Sequence, residues 1–60
     1  MFLITKLGKT EVKDVMVEGE FGNLEEGLDI YQNEKFIGVI VGPTTQSDKK
    51  LIIQYINDQF

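Results

Sequence analysis

The chain has 60 residues, no Cys, no His and a formal net charge of −4. Without those two residue types, disulfide staples, thiolate or imidazole metal sites and the common nucleophile–base pairs are excluded. Apolar residues make up 42% of the chain, enough for a core, and no apolar run approaches the ~20 residues of a membrane span.

One domain is expected, residues 1–60. A chain of this size buries only about 60% of the surface its unfolded form exposes, so it needs a well-packed core or a partner subunit. Phe2-Leu3-Ile4 is too short for the apolar stretch of a signal peptide, and Lys6 follows it. A complete, soluble, cytoplasmic product is the expectation.

Met1 to Lys6 is rich in β-branched and aromatic residues and reads as a strand. Leu7-Gly8-Lys9-Thr10 supplies a turn, with Gly8 free to take positive φ. Glu11 to Phe21 reads as a long strand with Val15, Val17, Gly19 and Phe21 on one face. Val12 falls on the opposite parity, which predicts a bulge near Lys13-Asp14. Gly22 to Gly27 is a polar, glycine-flanked connector, and its lone Leu24 suits the plug of a small barrel.

Leu28 to Val41 reads as a hairpin turning at Asn33-Glu34. Pairing residues whose numbers sum to 67 sets Ile30 against Ile37, Leu28 against Val39 and Tyr31 against Phe36. One face then collects Leu28, Ile30, Ile37, Val39 and Val41, and the other Tyr31, Phe36 and Ile40. Asn-Glu is a poor type I′ turn, because Gly is preferred at the second position. A four-residue loop from Gln32 to Lys35 keeps the same register. Gly38 marks a bend or a close approach.

Gly42-Pro43 ends the strand and opens a polar loop. Lys49 to Phe60 has two readings. Leu51, Ile52, Tyr55, Ile56 and Phe60 have helical spacing, with Ser47 or Asp48 as N-cap. Ile52, Ile53, Tyr55 and Ile56 have high β-propensity, and Lys49 and Lys50 would oppose a helix dipole. A fifth strand that closes the sheet is the preferred reading.

The expected fold is therefore all-β or β-rich. It is a small, strongly curved antiparallel sheet, an SH3-like or partial barrel of four to five strands, alternatively with a C-terminal helix packed on the sheet. Gly22-Asn23-Leu24-Glu25-Glu26-Gly27-Leu28-Asp29-Ile30 resembles the G-x-L-x-x-G-x-x-[IV] pattern in the β-barrel domain of translational GTPases. The resemblance covers nine residues and departs from the pattern at Leu28, where the family has an acid. It implies a turn leading into a barrel strand and carries no activity.

All six basic residues are lysines, and between Lys13 and Lys35 every charge is negative: Asp14, Glu18, Glu20, Glu25, Glu26, Asp29 and Glu34. Such a run is either a solvated face or a docking surface for a basic partner. Ser47 beside Lys49 and Lys50 has nothing to desolvate the lysines. Glu25, Glu26 and Asp29 match neither the spacing of a Ca²⁺ loop nor a cleft for sugar chemistry. Gly8-Lys9-Thr10 lacks the upstream glycine of a phosphate loop. No catalytic, cofactor-binding or metal-binding residue is assigned.

Elimination leaves a non-enzymatic, protein-binding module. Its expected contact residues are Glu18, Glu20, Glu25, Glu26, Asp29, Tyr31, Glu34 and Phe36, and its partner a protein with a basic surface. Acidic small proteins can imitate the charge of nucleic acid, as inhibitors carried by phages and mobile elements do. Two other classes stand beside it. A nucleic-acid-binding barrel would use Lys6, Lys9, Lys13, Tyr31 and Phe36, although the acidic balance and lack of Arg argue against it. A homo-oligomeric structural subunit would pair exposed strand edges.

Overall fold

The computed structural model describes all 60 residues. Four strands, β1 (Phe2–Thr5), β2 (Gly8–Glu18), β3 (Leu24–Gln32) and β4 (Lys35–Val41), form an antiparallel meander in the order β1-β2-β3-β4. One helix, α1 (Lys49–Gln59), follows. The strands do not close into a barrel: β1 and β4 remain separate edges. The expected fifth strand is the helix, and it covers one face of the sheet.

Burial explains why helix wins over strand in the last segment. Ile52 and Ile56 lie one turn apart and are fully buried against Leu3, Val12, Leu28, Ile30 and Ile40. Each such side chain contributes about 1.5–3 kcal/mol relative to exposure. The Asp48 carboxylate accepts a hydrogen bond from the Lys50 N–H at 2.8 Å and caps the first turn. Lys49 and Lys50 do oppose the dipole, and no basic residue offsets this in the last turn. An isolated helix of this length is marginal in water. Packing on the sheet therefore holds it.

The β3–β4 hairpin keeps one predicted pair and loses two. Tyr31 opposes Phe36 and Gln32 opposes Lys35, but Ile30 opposes Gly38 and Leu28 opposes Ile40. A bulge at Ile37 absorbs the extra residue and switches parity along β4. Ile40 consequently enters the core, while Val39 and Val41 turn to the exposed side. The bulge predicted near Lys13-Asp14 is absent, and β2 pairs with β3 without a shift from Glu11 to Glu18. Val12 simply faces inward and Val15 and Val17 outward.

The hairpin turn is the tight form that Asn-Glu disfavours. Asn33 and Glu34 have φ of 52° and 66°, a two-residue type I′ turn. A non-glycine residue in this region is strained by about 1–2 kcal/mol, so Glu34 is held there by the pairing on either side. Gly38 is indeed a close approach, but by a side chain. A Cβ placed there would lie 2.7 Å from the Phe60 ring, so Phe60 folds over the gap in the strand.

Between β1 and β2 the inner face turns polar. The Leu7 N–H donates to Thr5 Oγ1 at 3.1 Å, and Thr10 Oγ1 donates to the Gly8 carbonyl at 3.1 Å. The two hydroxyls share a buried bond of 2.9 Å. Since Thr10 has committed its proton, Thr5 donates in that bond. Asn57 of α1 accepts from the Lys6 N–H at 2.9 Å and ties the helix to this turn.

Candidate functional site

The distal half of the β2–β3 hairpin extends past its neighbours. β1 pairs with β2 only from Gly8 to Glu11, extended by two bonds between Met1 and Val12. β4 pairs with β3 from Gly27 onward, extended by one bond from the Gly42 N–H to the Glu26 carbonyl. Residues 14–18 and 24–26, with the loop joining them, therefore form a two-stranded ribbon. No core residue lies on it. β2 ends at Glu18, not at Phe21. The chain turns through a 3-10 segment, Glu20–Gly22, in which Phe21 has φ 61° and Gly22 φ 76°.

The ribbon carries apolar side chains into solvent. Phe21 at the tip is 96% exposed, Leu24 67% and Met16 55%. Leu24 plugs nothing. Four of the predicted contact residues surround these three: Glu18 pairs with Leu24, Glu26 with Met16, Glu25 with Val17, and Glu20 sits in the turn. All four carboxylates belong to exposed residues, and no group of three or more could hold a metal ion.

At the base of the ribbon, Asp14 accepts from the Thr45 N–H at 2.8 Å and from Thr45 Oγ1 at 2.6 Å. The hydroxyl bond, and then the amide bond, hold the Asp14 carboxyl below the ordinary Asp value. This tie pins the loop before α1 beneath the ribbon. A cleft of about 280 Å³ opens there between Asp14, Met16, Glu26 and Thr44.

The other predicted residues lie elsewhere. Tyr31 and Phe36 meet edge-to-face with ring centroids 5.7 Å apart, on the face of the sheet opposite α1. Glu34 occupies the adjoining turn, at the end of β3 remote from the ribbon. Asp29 lies between, half-buried, opposite Lys13 on one side and Val39 on the other. The eight residues thus divide into an acidic ribbon (Glu18, Glu20, Glu25, Glu26) and an open-face group (Asp29, Tyr31, Glu34, Phe36).

That open face holds contacts sequence reading did not assign. Lys13 Nζ lies 4.8 Å from the Tyr31 ring centre, and Lys9 Nζ the same distance from Phe2. Phe2, Ile4, Val39 and Val41 are exposed beside them. Val39 and Val41 were hidden by the bulge. The signal for Phe21 was available: an aromatic between Gly19 and Gly22 sits where glycines favour a turn.

Comparison of the chain with protein-family models, curated proteins and solved structures finds no match. α1, at 11 residues, is the single α-helix, and no helix is long and apolar enough to cross a membrane.

Proposed function

We propose that this protein is a non-enzymatic binding module that docks on a basic surface of another protein through its β2–β3 ribbon. The observation that carries the reading is Phe21, almost wholly exposed at the tip of an arm whose only charges are acidic. An exposed aromatic supplies desolvation energy on contact, and surrounding carboxylates supply steering and register toward a basic partner. An inhibitor that takes the place of nucleic acid on its target is the finer form of this proposal. Nothing converges for chemistry. The carboxylate with a shifted pKa, Asp14, is engaged by Thr45.

The test is affinity capture from host lysate with wild-type protein, a Glu25→Lys/Glu26→Lys variant and Phe21→Ser. Wild-type should retain a basic protein at low salt, release it as salt rises, and lose it in both variants. Equal capture by the charge-reversed variant, or capture insensitive to salt, would remove the ribbon as the docking element.

A further inference from the structure

The face of the sheet opposite α1 differs from the ribbon in charge. Lys9, Glu11, Lys13 and Asp29 share it with exposed aromatic and aliphatic residues, so both signs are interspersed. A uniformly basic partner would meet Lys9 and Lys13, and a uniformly acidic one would meet Glu11 and Asp29. The occupant that matches must carry the same alternation in reverse.

We infer that this occupant is a second copy of the chain, stacked face to face about a twofold axis that crosses the strands between the levels of Glu11 and Lys13. The inference goes beyond the ribbon reading and uses a separate surface. Antiparallel register sets the geometry. Glu11 opposes Tyr31, which opposes Phe36, and the next level on this face holds Lys13, Asp29 and Val39. The axis lays each strand over its own copy with direction reversed. Glu11 then falls over the partner's Lys13 and Lys13 over the partner's Glu11, an ion pair made twice. Tyr31 brings its hydroxyl over the partner's Asp29, and Phe36 falls over the partner's Val39. Contacts of this reciprocal kind define an isologous interface. The twist of each sheet rotates the pair by about 30°, which keeps these central levels in contact.

Electrostatics selects this stacking over the alternative. A twofold axis parallel to the strands would set Lys13 over the partner's Asp29, but it would also set both acidic ribbons, with five carboxylates each, side by side, and like charges in juxtaposition are costly. The antiparallel stack sends the ribbons to opposite ends, each toward the partner's turn end, where Lys6, Lys9 and Lys35 outnumber Glu34. Both ribbon tips remain free.

Sedimentation velocity across micromolar to millimolar concentration tests this, with far-UV circular dichroism to confirm folding. Wild-type should be a dimer that dissociates on dilution. Glu11→Lys alone, or Lys13→Glu alone, should raise the dissociation constant at least tenfold. The double swap Glu11→Lys/Lys13→Glu should recover association, because the reciprocal pair is rebuilt. In the parallel stack it would not, since position 13 would then meet Asp29. Val39→Lys, outside the core, should block association without unfolding. A concentration-independent wild-type monomer, or a double swap as weak as its single parents, overturns the proposal. Neither result depends on whether the ribbon captures a target.

Discussion

The two faces of one sheet have had opposite histories of covering. Beneath α1, Leu28, Ile30 and Ile40 are excluded from solvent by Ile52 and Ile56. On the other side Phe2, Ile4, Phe36, Val39 and Val41 remain exposed. Neighbouring residues on a single strand, Val39 and Ile40, thus have similar chemistry and opposite environments. Hydrophobicity alone does not assign a residue to the core. The parity of the strand does, and in β4 the bulge at Ile37 decides that parity.

Truncation on each face separates the two environments most directly. Leu28→Ala should cost about 2–5 kcal/mol, because the cavity lies under the helix. Val39→Ala should cost under about 1 kcal/mol in a monomer, since that side chain is only partly covered. Urea denaturation at low protein concentration compares the two, and equal losses would mean that the faces are not distinct.

A second prediction concerns the covered face at Gly38. Gly38→Ala should change stability by less than about 1 kcal/mol, because the added methyl meets only the far end of the partly exposed Phe60 ring, which can swing aside. In a Phe60→Ala background that cost should vanish, and a double-mutant cycle reads the difference. A third concerns the turn that carries β3 into β4. Glu34→Gly should stabilise by about 1 kcal/mol, because glycine relieves the left-handed strain and restores the preferred Asn-Gly turn. A higher thermal midpoint with unchanged Tyr31–Phe36 contacts by NMR is the expected result.

The smallest effect is at the loop pinned to Asp14. Its carboxyl has a folded pKa below the unfolded value. The tie therefore stabilises the fold above the usual Asp range and is lost as pH falls through the folded value. The Thr45 amide shift, followed from neutral to acidic pH, should titrate below the ordinary Asp value in wild-type and stay flat in Asp14→Asn.

Much of the strand content was legible. Gly8 takes the positive φ its place in a turn demands, and Tyr31 meets Phe36 as alternation predicts. The parity of β4 was not, because apolar residues occupy both alternations from Phe36 to Val41. Pattern cannot choose between them, and the bulge uses both. Lys49 to Phe60 has the spacing of a helix, but local β-propensity at Ile52, Ile53, Tyr55 and Ile56 favours a strand. The need to cover Leu28 and Ile30 overrides that propensity, and no local window contains it. A meander with a four-residue β1 also leaves its edges apart, so the barrel expected from short connections does not close. For the candidate site, the acidic ribbon was visible as a run of charge. The splitting of that run, with Asp29 and Glu34 falling beside Tyr31 and Phe36, follows from the length of β3, which only the fold supplies.

The 11-residue β2 has one further consequence. Its first half, around Thr10 and Val12, lies between two strands and over the core, whereas its second half has one neighbouring strand and only the loop tied through Thr45 to Asp14 at its base. Amide hydrogens near Val12 should exchange with solvent only when the whole molecule unfolds. Those from Val15 to Glu18 should exchange through local fraying of the ribbon, orders of magnitude sooner. One continuous strand would then show two lifetimes, with the boundary near Lys13.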